Sequence, residues 1–171
     1  GVNHIELRMF DLNPLDKNGM SKMDMELMEY FLLYLTAKPD FDYTPELQRQ
    51  AHENHIRSAV YDISSVDIVL PERTETLQQA AIRLVEEMEE FYRQLAVPRA
   101  LEVLETSKKR LVDQELLYAH RVYHEIEQKG YVPFAMECAE KALEQSNEKY
   151  YLLKGFEDME LSTQARIKAC L

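Results

Sequence analysis

Glycine is scarce, at four of 171 residues, and none of the glycines falls in a phosphate-binding pattern. There is no G-x-x-x-x-G-K-[ST], no G-x-G-x-x-G and no G-x-S-x-G, so the chain lacks the loops that cradle a nucleotide or expose a serine nucleophile. Tryptophan is absent, and the two cysteines, Cys138 and Cys170, make no disulfide framework; a reducing cytoplasm is the expected setting. Long apolar runs are missing too. The longest, Tyr30–Leu35, falls far short of a bilayer span, so no membrane partner is expected. No basic region followed by an apolar stretch marks a signal peptide. Basic residues are outnumbered, 20 Lys and Arg against 31 Asp and Glu, for a formal net charge of −11. A chain that neutralises nucleic-acid phosphates needs the opposite balance, and none is expected as a partner.

What is present is a globular composition, 46% apolar and 30% charged, in a length that suits one domain. The chain starts Gly1-Val2 rather than with Met, directly on a strand-like segment, and is expected to be a piece of a longer protein.

Asn3–Phe10 alternates strictly. Ile5, Leu7 and Met9 point to one face, and His4, Glu6, Arg8 and Phe10 to the other. Asn13-Pro14 ends the strand, because proline donates nothing to a ladder, and a loop through Asn18-Gly19 comes next.

The rest reads as helix. Ser21 caps a helix whose apolar face carries Met25, Met28, Leu32 and Leu35, closed by Lys38-Pro39. Thr44-Pro45 starts another that runs to about Val60. Val66–Leu70 is a second strand or an extended connector. Thr74 or Thr76 starts a long helix to about Leu95, with Leu77, Ala81, Leu84, Met88 and Phe91 on one stripe. Pro98 either kinks that helix or opens a new one ending near Lys129, with Gly130 as its C-cap. Pro133 opens a helix to about Glu148, and a last one starts near Leu161-Ser162. The expected fold class is mainly α, six or seven helices with one strand or a strand pair at the N-terminal end. A lone strand cannot satisfy its own backbone groups, so its partners must come from other polypeptide or from a second copy paired edge to edge.

Glu6 and Arg8, two apart on an extended segment, share a face. A carboxylate holding Mg²⁺ beside a guanidinium gripping anionic oxygens is an arrangement that suits phosphoryl transfer to a carboxylate. An ordinary same-face ion pair on an exposed strand fits the same spacing.

The stretch His4-Ile5-Glu6-Leu7-Arg8-Met9-Phe10-Asp11-Leu12-Asn13-Pro14 resembles a motif of bacterial glutamate–cysteine ligases, matching it at Glu6, Arg8, Asp11, Leu12, Asn13 and Pro14. The Met-, Leu- and Phe-rich helix after it and the helix bearing Asn54 and Arg57 look like the order that succeeds the motif in that family. Phe156–Gln164 resembles the end of the ligase domain in bifunctional glutathione synthetases. The resemblance implies an ATP-dependent ligase that phosphorylates the glutamate side-chain carboxylate, after which the cysteine amine attacks the acyl phosphate. It implies Glu6 as a Mg²⁺ ligand and Arg8 as a catalytic and ATP-contacting group, with Asp11 and Asn13 shaping the strand exit. Residues 1–171 would be the C-terminal portion of the catalytic domain, 1–14 its catalytic strand and 21–171 its helical part. The strand would complete the antiparallel catalytic sheet of a glutamine-synthetase-like ligase. The other metal carboxylates of the family lie upstream of the motif, so the chain is expected to be inactive alone. The alternative reading is a non-catalytic helical interaction domain.

Other clusters are weaker. His120, His124 and Glu127 fall at i, i+4, i+7 and make a transition-metal half-site or a solvated helix face; no H-E-x-x-H or Glu-x-x-His completes it. His52 and His55 read as polar helix surface, Cys138 as a small buried residue, and Tyr150-Tyr151 as helix packing.

Overall fold

Helix-capping chemistry sets most of the element boundaries in the computed structural model. The structure describes residues 4–7 and 10–148. Ser21 caps α1 (Lys22–Thr36) by accepting the Asp24 N–H at 3.1 Å. Thr44 caps α2 (Pro45–Arg57), with proline at the first helical position, where its missing N–H costs no hydrogen bond. Thr76 and Gln79 form a reciprocal capping box at the start of α3 (Leu77–Gln94), both bonds at 3.1 Å. Leu95–Val97 then reverses the chain into α4 (Pro98–Val112), with Ala96 in the left-handed region at φ 53°.

The long helix expected from Pro98 to about Lys129 is broken. Asp113 is extended and its carboxylate accepts the Glu115 N–H at 3.2 Å, so a local side-chain bond replaces helix continuation. A short 3₁₀ turn (Gln114–Leu116) leads into α5 (Tyr118–Lys129), which ends at Gly130 with φ 83°, as expected of a C-cap. α6 spans Tyr131–Glu148. The helix expected near Leu161 lies outside the described residues.

The described sheet is a two-stranded antiparallel hairpin, β1 (Asp67–Leu70) and β2 (Arg73–Thr76), turning at Pro71-Glu72. It sits between α2 and α3, not at the N-terminal end. Residues 4–7 have no regular secondary structure, so the strand read from their alternation is not formed there; alternation specifies faces, and a ladder also needs a partner.

The core lies where α1 crosses the α3–α4 pair. Tyr34, Val85, Met88, Tyr92, Ala100 and Leu104 are buried together, flanked by Leu27, Tyr30, Phe31, Leu84 and Phe91. The inward face of α1 is therefore Leu27, Tyr30, Phe31 and Tyr34, spaced i, i+3, i+4, i+7. The expected face holds only in part: Met28 and Leu32 are half-buried, but Met25 is 60% exposed and Leu35 46%. The helix is apolar on both sides, and the tyrosines decide between them, because each finds a hydrogen bond at the core's rim. Tyr34 donates to Glu87 at 2.8 Å, and the Tyr30 carbonyl accepts from Tyr92 at 2.6 Å. The expected α3 stripe does face the core, with Met88 buried and Leu84 and Phe91 packed against it, and the buried set extends to Ala80, Val85 and Tyr92.

Polar ties fix α1 from both ends. The Asp24 carboxylate accepts from Arg110 at 2.7 Å, Tyr118 at 2.8 Å and Ser21 at 2.6 Å. Arg99 reaches Glu26 at 2.5 Å, and Glu87 takes Tyr34, Lys38 and Arg83 at the far end. α2 is held differently. The Asn54 carboxamide donates to the Val69 carbonyl at 2.6 Å and accepts its N–H at 3.0 Å, pairing with the β1 edge as a neighbouring strand would. No helix among the described residues is long and apolar enough to cross a membrane.

Burial would raise the Asp24 pKa, but the hydrogen bonds from Ser21, Arg110 and Tyr118 outweigh it and hold the carboxyl below its ordinary value. Such a group stabilises the fold fully above its unfolded pKa, and the contribution disappears as pH falls through the lower folded value. Urea titrations from pH 7 down to pH 3 are expected to show that loss below about pH 4, and Asp24→Asn is expected to flatten it. Leu104→Ala, at a fully buried position, should cost about 2–5 kcal/mol in the same measurement. Asn54→Ala should cost about 1–3 kcal/mol by stranding both Val69 backbone groups, against under about 0.5 kcal/mol for the exposed His55→Ala.

Candidate functional site

The candidate site is the segment that enters α1. Glu6 is exposed, in a stretch without regular structure, and Arg8 lies outside the described residues. Ile5 and Phe10 are exposed at 60% and 41%, and Leu12 at 84%. The described residues of that segment thus present both side-chain sets outward, apolar as well as polar.

The turn after it is built around Asn13. The Asn13 N–H donates to the Gly19 carbonyl at 2.7 Å and its carbonyl accepts the Asp16 N–H at 3.1 Å. Its side-chain oxygen accepts the Leu15 N–H at 3.0 Å, the short-range Asx bond that the residue type favours. The Gly19 N–H returns to the Asp16 carbonyl at 2.9 Å, while the Asp16 carboxylate accepts the Asn18 N–H at 2.9 Å. Gly19 sits at φ +73°, a conformation open to glycine at little cost. Asn13 does shape the exit, as expected; Asp11 is exposed there. Two residues after Gly19, Ser21 starts α1, and Asp24 ties that end of the helix to α4 and α5.

The other candidates are dispersed over the helical body. Asn54 is committed to β1, and Arg57 is exposed at the end of α2, as is His55, with His52 exposed earlier along the helix. His120 is not on a solvated face. It is buried at 6% exposure, stacked on Tyr61 at 3.9 Å, with Nε2 3.1 Å from the Tyr61 carbonyl and Nδ1 3.4 Å from Glu115. His124 bonds the other Glu115 oxygen at 2.7 Å and lies 3.8 Å from Glu127. The two histidines lower the Glu115 pKa, His124 foremost. This cluster clasps the loop before β1 to α5, helped by Gln114, whose amide accepts from the Ile63 N–H at 3.1 Å and donates to Asp62 at 3.0 Å. Cys138 is half-buried on α6, and Tyr150-Tyr151 and the Phe156–Gln164 stretch lie outside the described residues.

A shallow depression between α1 and α3 is lined by Tyr34, Lys38, Glu87, Glu90, Phe91 and Gln94. Its Lys38 and Glu87 are already paired with each other: the Tyr34 hydrogen bond, then those of Lys38 and Arg83, hold Glu87 below the usual carboxylate range. Among the described residues no group of three or more His, Cys, Asp or Glu side chains gathers to hold a metal. Magnesium prefers near-octahedral oxygen coordination. Glu6 offers one carboxylate, so these residues do not by themselves make a magnesium site.

The sequence reading missed the Asp24 and Glu87 hubs. Ser21-x-x-Asp24 carries a capping signature that would have flagged the first locally; the Arg110, Tyr118 and Tyr34 partners are about 50 to 90 positions away and leave no local signal.

Comparison with known proteins adds what the geometry alone does not. Residues 1–58 match the family model described as glutamate–cysteine ligase. The chain is 30% identical over 167 residues to the glutathione biosynthesis bifunctional protein GshAB of Listeria monocytogenes, and 32% identical over 168 residues to that of Listeria innocua. Each match covers 96% of this chain and 22% of the relative. The Desulfotalea psychrophila protein of the same name is 25% identical over 170 residues, covering 98% of this chain and 22% of the relative. The chain thus spans about a fifth of the length of the curated relatives it matches. No solved structure matches it significantly. Residues 1–58 thus match the glutamate–cysteine ligase family model, and nearly the whole chain is similar to one stretch of the bifunctional glutathione biosynthesis proteins.

Proposed function

We propose that this chain is the C-terminal part of the ligase unit of such a protein, which joins the glutamate γ-carboxylate to the cysteine amine with ATP. The single observation that supports this most is the family match over residues 1–58, which contains the Glu6-x-Arg8 pair and the Asn13-Pro14 exit. In the proposed reaction the γ-carboxylate oxygen attacks the terminal phosphorus of ATP and ADP leaves. The cysteine nitrogen then forms the amide bond as inorganic phosphate departs with the C–O bond electrons and the amine loses a proton.

Arg8 is proposed to grip the transferring phosphoryl group or the glutamate carboxylate, since its planar fork matches either set of oxygens and stays charged throughout. Glu6 is proposed as one ligand of a magnesium ion, which when bound would offset phosphate charge. The remaining ligands must come from polypeptide outside this chain, as must the strands that residues 3–10 would join in a glutamine-synthetase-like sheet. On this reading the chain is inactive alone, and it works in the cytoplasm, where Cys138 stays reduced.

The test is made in the full-length protein. Glu6→Gln and Arg8→Ala are each expected to abolish glutamate- and cysteine-dependent ADP release, a loss of at least about 10²-fold, with an unchanged circular dichroism spectrum. Wild-type turnover in either variant removes that residue from the reaction.

A further inference from the structure

We infer that His120 and Glu115 hold one proton between them, and that its loss loosens the loop at residues 58–66 from α5. The inference is independent of the reaction proposed above. The loop carries the chain from α2 to β1. It is fastened to α5 through His120, 6% exposed, whose ring stacks on that of Tyr61 at 3.9 Å and 15°. Both ring nitrogens face oxygens: Nε2 lies 3.1 Å from the Tyr61 carbonyl and Nδ1 lies 3.4 Å from Glu115.

A carbonyl can only accept, so Nε2 carries the hydrogen. In a neutral imidazole that leaves a lone pair on Nδ1, aimed at a carboxylate oxygen that also offers only lone pairs. The contact is a hydrogen bond only if one further proton sits between the two groups. His124 does not supply it, because its Nε2 uses its own hydrogen for the 2.7 Å bond to the other Glu115 oxygen. The hydrogen bonds from His124 and then His120 hold the Glu115 carboxyl below the usual carboxylate range, so the shared proton rests on the His120 side. The charges nearby favour the same state. Asp62 acts on His120 from the loop, and Glu127 lies 3.8 Å from His124 on α5. Burial raises the Tyr61 hydroxyl pKa and the Glu127 hydrogen bond raises that of Tyr123, so neither phenol brings charge near neutrality.

Once the proton leaves, two lone pairs face each other. Glu115 is exposed and free to turn to water, which leaves His120 with its one bond to the Tyr61 carbonyl. The loop's other ties lie on the same 3₁₀ turn, where Gln114 binds Ile63 and Asp62. The closed loop thus holds one proton more than the open one over the range in which histidines titrate, and closure weakens as pH rises. At the acid end the sign reverses. Glu115, lowered in the fold, gives up its share as pH falls through its folded value.

The experiment is amide hydrogen exchange of the full-length protein between about pH 5.5 and pH 8.5, each rate divided by the intrinsic rate at that pH. Protection of peptides spanning residues 58–66 is expected to fall as pH rises, by at most about tenfold per pH unit, the limit for one linked proton. Glu115→Gln is expected to abolish the fall and keep the loop protected throughout. Its carboxamide N–H donates to a neutral Nδ1 while its oxygen accepts from His124. His124→Asn is expected to retain the fall. Flat protection in the wild type, or a fall that survives Glu115→Gln, overturns the shared proton. A fall that vanishes in His124→Asn overturns it by giving the proton to His124. A Glu115→Gln loop unprotected at every pH overturns it in favour of plain structural support.

Discussion

Helix α1 can bury either of two sides, and the placement of every other element near the candidate site depends on which side it chooses. Hydrophobicity alone does not choose, since Met25, Leu33 and Leu35 are as apolar as the Leu27 and Phe31 that pack inward in their place. The selection is made by polar groups at the edge of the core. Burying the Tyr34 ring brings its hydroxyl to Glu87, and turning Tyr30 inward brings its carbonyl to Tyr92. The same rotation aims Asp24 at Arg110 and Glu26 at Arg99. Rotating α1 to its other face would strand these donors and acceptors half-buried, each at about 1–3 kcal/mol. A handful of such losses exceeds any difference in transfer energy between two leucine- and methionine-bearing faces.

This dependence explains why the family match ending at residue 58 does not mark a structural boundary. The long-range ties that orient residues 13–58 cross it. Asp24 and Glu26 are held from α4, Tyr34 and Lys38 from α3, and Asn54 from β1. The α3–α4 hairpin acts as the scaffold for the segment that matches the family model, although the model itself stops before it. The relatives that match across 96% of the chain are the bifunctional proteins. That similarity spans both the hairpin and the segment it holds.

The element map was largely legible because it rests on local chemistry. Ser21, Thr44-Pro45, Thr76 and Gly130 each signal a cap within a turn of where they act, and the helices begin or end there. The failures share a different cause. The inward face of α1 and the burial of His120 are settled with partners far along the chain: Glu87 for Tyr34 and Tyr61 for His120. Periodicity gives the phase of a stripe only when one face is apolar, and here two are. The candidate site divides along the same line. Asn13 was legible because an Asx turn is written in neighbouring residues, whereas Glu6 and Arg8 were read from a motif.

Charge sets a further condition on where a nucleotide can be met. With 31 acidic against 20 basic side chains, the chain has little positive potential to offer one. Arg49, Arg83, Arg93, Arg99 and Arg110 are already bound to carboxylates of their own fold. Moving any of them to a phosphate would abandon an acid that the structure neutralises, and in the case of Arg110 would undo the anchor of α1. On the proposed function, the cations that would meet ATP are ones the described helical body does not already pair. Residues 4–7 and 10–12 are exposed on both side-chain sets and join the helical body through the turn at Asn13. On the proposed function, the acidic helical body would serve as a mount for that segment, and the rest of the site would be completed on the segment's other side.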